Sequence, residues 1–128
     1  MAKILVVDDD PDFVEATRIV LEQEGHTIAS AADGSEALGK IAEDTPDLII
    51  LDVIMSTVLD GLSVSQELGT HPEYKDIPII MITSRVGQKH RAKAIEIGVD
   101  DYLGKPYQES QLLDAIEQLV HHGRTNVY

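Results

Sequence analysis

Short unbroken apolar runs alternate along this chain with stretches whose apolar residues recur every three or four positions. Residues 47–52, Asp-Leu-Ile-Ile-Leu-Asp, form the clearest run, four apolar residues between two carboxylates. A run of that length fits a strand buried on both faces. Lys3 to Asp8 repeats the signature, and Ile77 to Ile82 does so again, ending in Thr83. Weaker runs occupy His26 to Ala31 and Val99 to Leu103. Between them, Phe13, Ala16, Thr17, Val20 and Leu21 recur at helical spacing, and Gly25 stops that helix. Asp10 before Pro11 supplies an N-cap followed by a proline suited to the first turn. Asp33-Gly34 makes a turn, and Ala37, Leu38, Ile41 and Ala42 mark a second helix ending near Thr45-Pro46. A third helix is predicted over Gly61 to Leu68, with Leu62, Val64, Ser65 and Leu68 inward. A fourth spans Gly87 to Ile97 before Gly98, and Leu112, Ile116, Leu119 and Val120 define a last one.

Strand and helix thus alternate five times. Such a (βα)5 pattern predicts an α/β fold, one doubly wound, flavodoxin-like domain around a five-stranded parallel sheet in the order 2-1-3-4-5. The domain is predicted over residues 1–122, with 123–128 a frayed tail or the start of a linker. At 128 residues, 43 % of them hydrophobic, the chain can bury a real core.

Charge narrows the function. The formal net charge of -13 argues against binding nucleic acid or an anionic membrane surface, since both need basic residues to release counterions. No apolar run approaches the ~20 residues of a membrane span, and the N-terminal run is too short for a signal peptide, so a cytoplasmic protein is expected. The absence of cysteine excludes disulfides, thiol nucleophiles and Cys-ligated zinc. The five histidines show no zinc-site spacing.

Four predicted strands end in, or just before, a reactive polar residue. These are Asp8-Asp9, Asp52, Thr83 and Lys105. In a parallel sheet all lie on one side, and the first and third strands meet at the switch point where the crevice opens. Asp8, Asp9 and Asp52 are then expected to converge. Two ionised carboxylates ~4 Å apart repel by about 4 kcal/mol at an effective dielectric of ~20, so three call for a cation. All-oxygen ligands in a partly open site suit Mg²⁺. A Lys can contact a phosphoryl oxygen, a Thr hydroxyl can donate to another, and an Asp can be the nucleophile that becomes an aspartyl phosphate. Phosphoryl transfer needs chiefly such positioning and charge neutralisation.

On Val-Val-Asp-Asp at 6–9, Leu-Asp at 51–52, Ile-Thr-Ser at 82–84 and Asp-Tyr-Leu-Gly-Lys-Pro at 101–106, the chain resembles the receiver domain of two-component response regulators. The resemblance covers essentially the whole chain. It implies that Asp52 accepts phosphate from a phosphohistidine on a histidine kinase or phosphotransfer protein. It further implies that Asp9, Asp52 and the backbone carbonyl of Ile54 bind Mg²⁺, with Asp8 helping through water. Thr83 and Lys105 would hold the phosphoryl group, and Tyr102 would be the switch aromatic that turns inward with Thr83. Side chains at Ile54 and Arg85 would tune the rate of phosphate hydrolysis. The Lys105-Pro106 bond would be cis, as in most relatives. Output would pass through the face of the fourth helix, fifth strand and last helix to a downstream protein. The resemblance implies that the domain would catalyse only its own phosphorylation and dephosphorylation and is not otherwise an enzyme.

The sequence departs from that family after Asp52. Ser56 stands where Pro is usual, and one residue is inserted before Asp60-Gly61, so the path of residues 56–59 is expected to differ. Residues 85–93 hold four of the ten Lys and Arg, beside Asp100 and Asp101, an arrangement that allows a two-fold homodimer. Against that pairing, residues 108–120 carry no basic residue. Two other functions share parts of the pattern. A Mg²⁺-dependent phosphatase of the haloacid-dehalogenase type would use Asp8-x-Asp10, but Pro11 leaves no room for its flap. A receiver-like scaffold that takes no phosphate should have lost an acidic, Thr or Lys residue, and none is lost. No output domain is read within these residues, which predicts either a stand-alone receiver or one cut from a larger protein.

Overall fold

A computed structural model describes residues 2–52, 61–84, 92, 96 and 98–122. In chain order the elements are β1 (Lys3–Val7), α1 (Pro11–Gln23), β2 (Thr27–Ala31), α2 (Gly34–Glu43), β3 (Leu48–Leu51), α3 (Gly61–Gly69), β4 (Ile79–Thr83), β5 (Asp101–Gly104) and α4 (Glu109–His122). The strands form one parallel sheet in the order β2-β1-β3-β4-β5, as the alternation predicts. Of the predicted helix over Gly87 to Ile97, only Ala92 and Glu96 lie among the described residues, and both are helical.

The unbroken apolar runs follow from a sheet covered on both sides. Successive strand residues point to opposite faces. Leu5, Val7, Ile49, Leu51, Ile79 and Met81 pack with Ala37 and Ile41 of α2 and Val64 and Leu68 of α3. Ile4, Val6, Leu48, Ile50, Ile80 and Ile82 pack on the other side with Leu21 of α1 and Leu112, Ile116 and Leu119 of α4. Every residue of β3 and β4 is buried. Each such Leu or Ile contributes about 1.5–3 kcal/mol by leaving water.

The helix ends are set by local chemistry. Asp10 Oδ1 accepts from the backbone N–H groups of Asp12 and Phe13, and Pro11 opens α1. At the other end Gly25 has φ 89°, its N–H donates to Glu22 O, and the His26 N–H donates to Leu21 O. That pair of bonds is a Schellman motif, which needs a left-handed residue where Gly25 stands. Asp33 Oδ1 caps α2 by accepting from Glu36 N–H, while Glu36 Oε1 accepts from Ala32 N–H.

One boundary differs informatively. The fifth run was expected to begin its strand at Val99, but β5 starts at Asp101. Asp100 N–H donates to Ile79 O at 2.8 Å, and Asp100 Oδ2 accepts from Ile79 N–H at 2.9 Å. The side chain takes the place of a backbone carbonyl at that rung, so the ladder begins only after Asp100.

Candidate functional site

The site is assembled by residues that stand just past their strands yet remain tied to the sheet. Asp8 N–H donates to Ala31 O, Asp52 N–H to Val7 O, and Lys105 N–H to Thr83 O. Each of the three is thus held by one more backbone bond to the neighbouring strand. The side chains emerge at the carboxyl end of the sheet, and the β2-β1-β3 order makes β1 and β3 neighbours there.

Carboxylate oxygens of Asp8, Asp9 and Asp52 lie within 4.8 Å of one another. Asp8 and Asp52 are buried, whereas Asp9 is exposed and opens the group to solvent. Lys105 Nζ donates to Asp8 Oδ2 at 2.7 Å and to Asp52 Oδ2 at 3.2 Å. Asp8 Oδ1 accepts from Asp10 N–H at 3.0 Å. Burial holds the Asp8 carboxyl above its ordinary value, and the charge of Asp52 adds to the rise. The hydrogen bonds from Lys105 and Asp10 oppose it without cancelling it. Burial alone would lower Lys105. The hydrogen bonds and negative charges of Asp8 and Asp52 outweigh that and keep the ammonium above its usual range. Lys105 thus serves as the internal counter-ion of a crowded acidic group.

The donor set suits a hard divalent cation. It is all oxygen, compact and open on the Asp9 side, which matches Mg²⁺ with several retained waters. Among the described residues no other group of acidic or histidine side chains is arranged to hold a metal.

Thr83 is fully buried at the end of β4, paired with Gly104 in the ladder and adjoining Lys105. Tyr102 pairs with Met81 and is buried in the same cluster. Strand alternation puts Thr83 on the sheet face shared by Met81 and Tyr102. The Lys105-Pro106 bond is cis, in line with the resemblance. Ile54, Arg85, the departing loop at 56–59 and the basic stretch from Arg85 to Arg91 lie outside the described residues, as does Lys93.

The match to known families decides the assignment. The model of the response regulator receiver domain matches residues 4–117. This chain is a receiver domain of the response regulator family. Response regulator MprA of Mycobacterium ulcerans is 42 % identical over 118 residues, covering 92 % of this chain and 50 % of that protein. The chain therefore spans about half the length of that relative. A crystal structure of a response regulator from Chloroflexus aurantiacus superposes with a TM-score of 0.90 at 31 % identity, covering 94 % of this chain and 98 % of that one. Chemotaxis protein CheY4 of Vibrio cholerae superposes with a TM-score of 0.85 at 31 % identity, covering 92 % and 98 %. The fold of the receiver is thus the expected one. The phosphatase alternative also loses its second carboxylate, because Asp10 caps α1.

Two residues next to Lys105 were not read from the sequence as part of the site. Lys105 Nζ sits 4.2 Å from the ring centroid of Phe13, and Tyr107 packs edge-on to that ring. Helical spacing puts Phe13 on the apolar face of α1, and its side chain is half-buried. The available signal is its place in the first turn of α1, three residues after Asp10.

No helix among the described residues is long and apolar enough to cross a membrane.

Proposed function

We propose that this receiver takes a phosphoryl group onto Asp52 from a phosphohistidine of a histidine kinase or phosphotransfer protein, and that the modified domain is read by a downstream protein. The observation that carries the reading is Lys105 bridging Asp8 and Asp52 inside the three-carboxylate group. A carboxylate oxygen of Asp52 attacks phosphorus. The P–N bond to the donor imidazole breaks, its electron pair stays on nitrogen, and an acyl phosphate remains.

Asp8, Asp9, Asp52 and the carbonyl of Ile54 would hold Mg²⁺, which supplies charge neutralisation to the phosphoryl oxygens. Lys105 moves from Asp8 and Asp52 onto a phosphoryl oxygen, a short shift for an ammonium on a flexible stem. The Thr83 hydroxyl donates to another oxygen. Thr83 and Tyr102 share a sheet face, which supports coupling the acceptor to the side chain of Tyr102. The face that changes is built on β5, α4 and the predicted helix over 87–97, and Ile54 and Arg85 set how long the phosphate lasts. The receiver occupies residues 1–122, and 123–128 lead out of it. This reading takes the reaction to be cytoplasmic. A homodimer across the basic stretch is the self-association this reading allows, and neither nucleic acid nor membrane is a direct ligand of so acidic a chain.

The test is incubation with Mg²⁺ and acetyl phosphate followed by intact mass. One added phosphoryl group is expected in the wild type and none in Asp52→Asn. If the wild type gains no adduct and shows no Asp52-dependent consumption of acetyl phosphate, the reading fails.

A further inference from the structure

We propose that Phe13 is a positioning residue for Lys105, and that Tyr107, anchored on Thr17, fixes the Phe13 ring in that role. The inference rests on Asp52 being the phosphoacceptor. Among the described residues, the ammonium of Lys105 lies against Asp8 at 2.7 Å, Asp52 at 3.2 Å and the face of Phe13 at 4.2 Å. An aromatic face attracts a cation through its quadrupole. The two carboxylates are transient partners during transfer. Asp52 loses its negative charge once it is an acyl phosphate, and Asp8 belongs to the group that would hold the metal. The ring alone keeps the same character before and after transfer. It therefore confines a long, flexible lysine stem to the edge of the site while its carboxylate partners change.

The ring is itself held. Phe13 and Tyr107 meet in a T-shaped arrangement, with centroids 5.9 Å apart and planes at 88°. That geometry is favourable beyond simple burial. The Tyr107 hydroxyl is 3.1 Å from Thr17 Oγ1, and Thr17 is fully buried. Phe13 and Thr17 are four residues apart on α1, so they lie on one helix face. Lys105 and Tyr107 flank Pro106 in the segment after β5. Helix α1 thus grips that segment at two points, one through an aromatic pair and one through a half-buried hydroxyl pair. A cation over a ring is worth about 2- to 5-fold in an equilibrium at exposed sites and about 30-fold when desolvated. The Lys105 side chain is 20 % exposed, which sets the expected effect at the upper end of the exposed range, about 5-fold.

The experiment replaces Phe13 with mono-, di- and trifluorinated phenylalanine, which weakens the quadrupole with little change in shape. The rate constant for phosphorylation by acetyl phosphate at saturating Mg²⁺ should fall stepwise with fluorine count, with urea stability falling no more than the same few-fold in the unfolding equilibrium. Phe13→Leu should be about 5-fold slower, and Phe13→Trp should recover most of the rate. Tyr107→Phe and Thr17→Val should each slow the reaction about 2-fold, with the double variant no worse than either, because both remove one hydrogen bond. By NMR, the Lys105 ε-methylene protons should show an upfield ring-current shift that Phe13→Leu abolishes. A labelled wild type with a rate flat across the fluorine series, or with no ring-current shift, overturns this inference alone. A wild type that takes no phosphoryl group overturns the acceptor reading as well.

Discussion

Replacing Lys105 with Met removes one positive charge while keeping a flexible unbranched side chain of similar length. What remains is two buried carboxylates without their counter-ion, Asp8 with a side chain 1 % exposed and Asp52 with one 9 % exposed. At the 4.8 Å limit of their separation, two full charges repel by about 3.5 kcal/mol at an effective dielectric of ~20. Breaking a buried pair generally costs about 3–5 kcal/mol, and partial exposure of the lysine reduces that here. We therefore expect Lys105→Met to lose about 2–4 kcal/mol at neutral pH in EDTA, a large share of the ~5–15 kcal/mol typical of a domain.

The pH dependence has a definite sign. Asp8 titrates above its unfolded value of 3.8 in the native protein, so the folded state binds that proton more tightly. Stability contributed by Asp8 then rises as pH falls through its folded pKa, and removing Lys105 pushes that pKa further up. The gap between variant and wild type should narrow on acidification. It should also narrow in Mg²⁺, where a dication replaces the ammonium. Urea unfolding monitored by circular dichroism, with the slope checked for constancy, measures all three arms. A loss below about 0.5 kcal/mol in EDTA, or a gap that widens toward acid, would refute the counter-ion role of Lys105.

Three further outcomes are expected. His26 titrates below 6.5, chiefly through burial and then through the nearby positive N-terminus, and its Nδ1 accepts from Ala2 N–H at 3.2 Å. Its contribution is fully present above 6.5 and is lost as pH falls from there toward the folded value. Unfolding between about pH 7.5 and 5.5 should therefore show a stability slope that is shallower in His26→Gln. Ser65 Oγ is buried without a hydrogen-bond partner on α3, so Ser65→Ala should raise stability by about 1 kcal/mol, seen as a higher urea midpoint at constant slope. Asp33→Ala removes the cap of α2 and should cost about 1 kcal/mol in the same assay.

The alternation of apolar runs with helical periodicity was enough to place five strands in a parallel sheet, because period two and period three to four are written directly in residue order. The acidic turn, Asp52, Thr83 and Lys105 were legible as one constellation, since a parallel sheet brings all its strand ends to one side. Caps at Asp10 and Asp33 were equally local. Tertiary structure decided the rest. That Asp100 would bond Ile79 through its side chain and delay β5 depends on a partner 21 residues away. That Lys105 would bridge Asp8 and Asp52 depends on separations of 97 and 53 residues. Phe13 looked like one more inner position of an amphipathic helix. Only the packing of α1 against the segment after β5 puts its ring beneath an ammonium, because helical periodicity reports which face is apolar and not which charge that face meets.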